Sequence, residues 1–460
     1  MSSRLLSSVI ALSATAVATQ ASAFCGFYVA KADTDLFNQS SKVAMMRDGE
    51  RTVITMANDY QGEPEEFAMV IPVPTVITKD QVHISDPALL THLDAYTAPR
   101  LVEYFDDNPC DSHRYRLFDA VPAPVAMESE TVTLQKRAEA LGVTIEDEFT
   151  VGEYDILILS AEESDGLQTW LEEEGYRVPA KARRTLGSYI KQDMKFFVAK
   201  VNLEARAENG SEYLRPIAVA FETPKFMLPI RLGTVNAKDD QDLFVYMLTR
   251  SGQVETTNYR TQKIPTGQEI PPYVKDEFGD FYKAMFATAA DRDGGHGVFM
   301  EYAWDMNWCD PCAADPLSNE QLQELGVFWL DSPTDGPAIQ PRRGRPIQQA
   351  KDVYVTRLHV RYDAKSFPED LKFKTTGNRD NFQGRYVLRH AYDGEMTCEA
   401  ASEYKTDVNE RRQTEIKTLA NLTGWKRDDI RERVEADTGF FDVSKTAPNH
   451  KWWSRIWSQD

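Results

Sequence analysis

Past its first residues, this 460-residue chain has no apolar run long enough to cross a bilayer. The longest later candidate, Phe67 to Ile77, is interrupted by Pro72 and Pro74. Positive charge is in deficit: 52 Lys and Arg stand against 72 Asp and Glu, a formal charge of −20. Phosphate backbones and anionic lipid surfaces would repel such a chain, which argues against nucleic acid as a partner. Histidine is scarce, with seven residues and neither an HExxH motif nor an i, i+4 pair. There is no Walker motif, no G-x-S-x-G, and no internal repeat of useful period. The carboxylates are too many and too dispersed to nominate an acid–base pair. No cofactor motif is found, so no cofactor is expected.

What is present describes an exported globular protein. Hydrophobic residues make up 42%, aromatics 11% and charged residues 27%, enough to fill sizeable cores. The length implies two or three packed units. Arg4 gives a thin positive start, Leu5 to Ala18 is apolar and small, and Ala21-Ser22-Ala23 is an A-x-A cleavage site. Residues 1–23 therefore read as a signal peptide, and cleavage after Ala23 leaves Phe24 first and Cys25 second. A lipid anchor would need the cysteine itself at the new terminus. The expected location is the periplasm or the extracellular space, with no transmembrane segment in the mature chain.

The pattern along the chain predicts an α+β fold with mainly antiparallel sheets, interspersed helices and a helical C-terminal extension. Residues 24–120 form a β-rich unit, with Asp48-Gly49 turning a hairpin between Lys42–Met46 and Thr52–Met56. Phe67–Val73 is a further strand, and Ala88–Phe105 carries helical spacing. A central α+β unit over 121–331 holds strands near 154–159, 196–201, 217–221, 228–232, 243–248 and 298–304, with helices near 166–174, 181–194 and 276–290. Ser332–Pro346 is rich in Pro, Gly and Arg, so 332–347 reads as a linker. A β segment over 348–400 packs on the core, Arg385–His390 pairing with Val353–Tyr362. The tail, 401–460, is charged helix split at Thr423-Gly424, and it ends with Trp452, Trp453 and Trp457. Those indoles either dock a partner or fold back onto the body.

Five cysteines survive signal removal: Cys25, Cys110, Cys309, Cys312 and Cys398. All are disulfide candidates, and sequence cannot give their connectivity. The run Trp308-Cys309-Asp310-Pro311-Cys312 has three readings. As a disulfide it would be a local staple, worth only about 2 kcal/mol for so short a loop. As a redox dithiol, Cys309 would attack and Cys312 resolve, but Asp310 between them raises the thiolate pKa. As a zinc site it lacks two ligands, so no metal is expected. Asp291-Arg292-Asp293-Gly294 opens like a calcium loop, but Gly295 and His296 break that pattern and a turn fits better. His359 and His390 fall in strand-like segments and read as satisfied polar residues of a half-buried sheet.

Several blocks resemble a family of exported bacterial proteins catalogued as domain of unknown function 2330. They are Phe24–Val29, Thr55–Gly62, Pro99–Tyr104, Leu228–Gly233, Trp308–Cys312 and Phe382–Val387, in order along roughly Phe24 to Cys398. The resemblance implies a bacterial envelope or secreted location and carries no activity or catalytic residue. Two functions remain in view. One is a non-enzymatic envelope protein that binds a partner or ligand and is stapled by disulfides. The alternative is a thiol–disulfide oxidoreductase using Cys309 and Cys312.

Overall fold

The computed structural model describes residues 27–30, 37–61, 67–110, 142–176, 178–179, 181–202, 214–235, 240–307, 314–331 and 352–442. The signal segment, Cys25, the Cys309/Cys312 pair, the linker and the tryptophan-rich end lie outside them.

The fold is α+β and its sheets are mostly antiparallel. The Asp48-Gly49 turn joins strands Phe37–Asp48 and Arg51–Gln61, with Gly49 in the left-handed region at φ 61°. This hairpin sits inside a nine-stranded sheet. From one edge its order is Arg260–Lys263, Gly297–Asp305, Tyr354–Tyr362, Gln241–Thr249, Phe37–Asp48, Arg51–Gln61, Ile217–Glu222 and Val82–Ile84, with Phe382–Gln383 also on Gly297–Asp305. One sheet therefore draws strands from both sides of residues 121 and 332. A five-stranded sheet runs Phe27–Ala30, Phe67–Val73, Lys195–Val201, Tyr154–Ala161, Val143–Val151.

Alternation along the strands sets the layers. Met69, Ile71, Ile156, Ile158 and Phe197 of the smaller sheet share one core with Val43, Met45, Ile54, Val245, Leu358 and Val360 of the larger. The two sheets thus pack face to face. Val70, Leu159, Phe196 and Val198 point outward under helices Ser164–Glu173 and Ala182–Ile190, which bury Leu167, Trp170, Leu171 and Leu186 on them. On the other side Ala44, Met46, Leu248 and Val355 meet helices Pro87–Thr97 and Asn319–Leu325. Helix Phe278–Arg292 stands beside them, and the pair Ala400–Thr423 and Arg427–Asp437 packs on it. Gly424, left-handed at φ 73°, separates that last pair.

Three local expectations need correction. Helix Pro87–Thr97 stops well before Phe105. Pro99 disfavours helical backbone at Ala98, which is extended at ψ 147°, and Arg100–Phe105 becomes a strand. Arg385–His390 does not pair with Tyr354–Tyr362. It lies between Arg100–Phe105 and Gln268–Ile270, parallel to both, in a small separate sheet. Leu228–Leu232 is strand only over Met227–Leu228. Pro229 has no N–H for a ladder, and the N–H groups of Ile230 and Arg231 donate to Asp370 Oδ1 at 3.0 and 3.2 Å. Asp370 also accepts from the Tyr189 hydroxyl at 2.5 Å, so the Leu228–Gly233 block ties a buried carboxylate to a covering helix. Asp291–Gly295 ends its helix in a turn through two left-handed glycines, Gly294 and Gly295.

Candidate functional site

The densest group of buried ionisable side chains lies on the outer face of the nine-stranded sheet. Strand Tyr354–Tyr362 sends Tyr354, Leu358, Val360 and Tyr362 into the central core, so Arg357, His359 and Arg361 face the other way. On the neighbouring strand, Tyr246 stands opposite Arg357, Phe244 opposite His359 and Asp242 opposite Arg361. Strand Gly297–Asp305 carries a β-bulge between Met300 and Tyr302, and Glu301 is its extra residue. Alternation puts Glu301 on the same outer face as Phe299 and His359, and the bulge brings Tyr302 onto that face beside it. The Glu301 carbonyl accepts from Gly384 N at 2.7 Å, while the Gly384 carbonyl accepts from Arg100 N at 3.0 Å. A Cβ at Gly384 would come within 3.2 Å of both Pro99 and Ile264. The Pro99–Tyr104 and Phe382–Val387 blocks therefore meet at the bulge and hold it.

Arg357 links two carboxylates: Nε donates to Glu301 Oε2 at 2.7 Å and Nη1 to Asp94 Oδ1 at 2.6 Å. His359 Nδ1 lies 2.9 Å from the other Glu301 oxygen and 2.8 Å from the Tyr282 hydroxyl, which also donates to Glu301. His359 Nε2 is 3.4 Å from Asp242 Oδ1, an ion-pair contact too skewed for a hydrogen bond. Arg361 holds Asp242 with two bonds of 2.8 Å. At the far end Lys42 and Tyr246 donate to Asp94 at 2.6 and 2.8 Å. Phe286 and Phe244 stack on the imidazole at 3.5 and 4.2 Å. The chain of charges runs from helix Pro87–Thr97 across four strands, and Tyr282 adds helix Phe278–Arg292.

Its protonation follows from competing effects. Burial would raise the Glu301 pKa, but the charges of Arg357 and His359 outweigh burial and hold it below the usual value. Burial also opposes ionisation of Asp94, yet Arg357 and Lys42 bring it down to about 2. For His359 burial lowers the pKa, and Glu301 with Asp242 more than reverses this, so the imidazolium is favoured. Glu301, Arg357 and His359 are 0%, 4% and 2% exposed. These three are closed off from solution, and through them the arrangement braces the sheet to its helices.

This network sets a pH dependence of stability. His359 is raised in the folded state, so its contribution is full below the unfolded value near 6.5 and is lost as pH climbs through the folded value. Glu301 and Asp94 are lowered, so theirs is present above the unfolded values near 4 and is lost as pH falls below them. Thermal unfolding midpoints should peak at about pH 5–6 and decline on both sides. Scanning fluorimetry from pH 3 to 9 checks this, and an alkaline limb that stays level would contradict the charged state assigned to His359.

Of the residues singled out from sequence, Cys110 and Cys398 come together as a disulfide, their Cα atoms 5.6 Å apart across 288 positions. Cys25, Cys309 and Cys312 lie outside the described residues. His359 belongs to the ionic network, and His390 pairs with Glu103 at 2.9 Å. Glu301, Asp242, Arg357 and Asp94 were not anticipated. One signal was available: cations at every second position of Arg357-Leu358-His359-Val360-Arg361, in a strand otherwise apolar. Tyr104 and Phe105 end a strand at the border of the small sheet, 47% and 71% exposed, the exposed large hydrophobics among the described residues. A slot of about 30 Å³ between the two large sheets is lined by Met56, Ile71, Met194, Val219, Phe221 and Leu228 among others. Ligand pockets measure roughly 300–1,000 Å³, so this slot is a packing gap with room for about one water.

A family model described as an uncharacterized protein conserved in bacteria, domain of unknown function 2330, matches residues 18–374. The chain belongs to that family. No curated protein and no solved structure matches it. No helix among the described residues is long and apolar enough to cross a membrane.

Proposed function

We propose that this member of the bacterial family is exported to the envelope or beyond and works there by binding a partner or ligand rather than by turnover. The observation that carries the reading is the Cys110–Cys398 disulfide, because such bonds persist in oxidising compartments and are rare in the bacterial cytosol. The export signature at Met1–Ala23 agrees with it. The enclosed ionic network supports binding over catalysis, since its acids and bases are spent on one another. Tyr104 and Phe105, exposed on the edge strand of the small sheet, supply an apolar contact surface.

The test is expression of the full chain in a bacterial host, thiol blocking at lysis, and peptide mapping without reduction. A mature chain beginning at Phe24, outside the cytoplasm, with Cys110 linked to Cys398 is the expected result. Retention inside the cell with Met1–Ala23 attached and both thiols free would overturn the proposal. The oxidoreductase alternative is decided on the same sample. It needs insulin reduction and a Cys309/Cys312 potential more oxidising than about −300 mV.

A further inference from the structure

Helix Ala400–Thr423 carries charged residues on the face it buries. Arg412 and Glu415 are only 6% and 2% exposed; the helix packs on strand Gln268–Ile270, and Arg412 lies over the Phe441 ring. A buried carboxylate normally recruits strong hydrogen bonds. Glu415 Oε1 has none from the described residues, and its ion-pair partner, Arg411 Nε, is 3.7 Å away. Arg411 is engaged elsewhere: Nη2 donates to Asp106 Oδ2 at 2.8 Å, an oxygen that also accepts from the Tyr404 hydroxyl. Arg389 lies 3.9 Å from Asp106 and donates to Glu269 at 2.9 and 3.1 Å. Nη1 of Arg412 likewise has no acceptor among the described residues.

Glu415 is thus surrounded from several elements. Its own helix supplies Arg411 and Arg412, strand Gln268–Ile270 supplies Glu269, and the segment after Arg100–Phe105 supplies Asp106. Asp437 of the last helix acts on Arg412. Helix Phe278–Arg292 sends Arg292 to Asn421, farther along. Two carboxylates therefore repel Glu415, and one of them, Asp106, also holds its partner Arg411.

We propose that Glu415 makes the seating of the C-terminal helix pair, residues 400–437, a pH-sensitive contact. With its carboxyl protonated the helix lies closed on strand Gln268–Ile270. With it ionised the pair opens locally, tethered by Cys398, while the double-sheet body stays folded. Burial first, then Glu269 and Asp106, push this carboxyl up to about 7 against the pull of Arg411 and Arg412. The closed state keeps its proton after the open state has lost it, so closure weakens as pH rises from about 4.5 to 7 and levels off above.

Hydrogen exchange of the full-length oxidised protein between pH 5 and 8, corrected for the intrinsic pH dependence of exchange, tests this. Protection of amides 408–423 should fall about tenfold or more across that range. In Glu415→Gln, which cannot ionise, the same amides should stay protected throughout. Two results would overturn the proposal. One is a wild-type helix whose protection follows the same pH course as that of the variant. The other is a variant helix already unprotected at pH 5, which would make Glu415 a packing residue only.

Discussion

Replacing Arg357 with methionine is expected to cost about 3–5 kcal/mol of stability, the loss seen when one partner is taken from a buried ion pair. Methionine fills similar space, so the effect isolates charge rather than volume. Glu301, fully enclosed, would keep His359 and the Tyr282 hydroxyl as its side-chain partners among the described residues, while Asp94 would retain Lys42 and Tyr246. The penalty therefore concentrates on Glu301. Adding Glu301→Gln should return at least about 1 kcal/mol, because the uncompensated charge is removed with its partner. Arg357→Lys keeps the charge but not the planar fork that spans two carboxylates, and its expected loss is intermediate. Urea unfolding of these three variants and of Glu301→Gln alone measures all of this. Strictly additive losses would mean that Arg357 and Glu301 do not share a network.

What could be read from sequence was whatever is local. The Asp48-Gly49 hairpin, Phe67–Val73 and helix Arg427–Asp437 follow from turn chemistry and periodicity within a few residues of one another. What could not be read was which strands share a sheet. The parallel contact between Phe37–Asp48 and Gln241–Thr249 joins segments nearly two hundred positions apart, and nothing in either pattern names the other. The same applies to Arg385–His390, whose alternation suits any neighbour, and which lies beside Arg100–Phe105. Glu301 was hidden for a sharper reason. Alternation places Glu301 on the outer face with Phe299, but strand Gly297–Asp305 is buried on both faces, so its pattern does not say which face is which. The bulge at Met300/Tyr302 also shifts the phase of every residue after it. Of the five cysteines, proximity in the chain drew attention to Cys309 and Cys312, whereas the described disulfide joins two of the most distant.

That distance is why removing the disulfide is expected to have the second large effect. Closing a loop of 288 positions restricts the unfolded chain by about 5–6 kcal/mol in the chain-entropy estimate, and measured losses for native disulfides run at about 2–5 kcal/mol. A variant with both Cys110→Ser and Cys398→Ser should lose stability in that range and still fold. The tail has independent anchors: Ile416, Leu419, Leu422, Ile430 and Val434 are buried in the central core, and Asp106 is bonded to Arg411 and Tyr404. If the bond acts on the unfolded ensemble, its removal should also steepen the urea dependence, because the released chain exposes more surface on unfolding. A parallel urea series on the wild type with and without reductant must then reproduce the shift and slope of the double variant. If instead the slope stays fixed while the helix pair loses exchange protection under native conditions, the bond stabilises the folded contact. The 288-position loop would then not be the source of its effect.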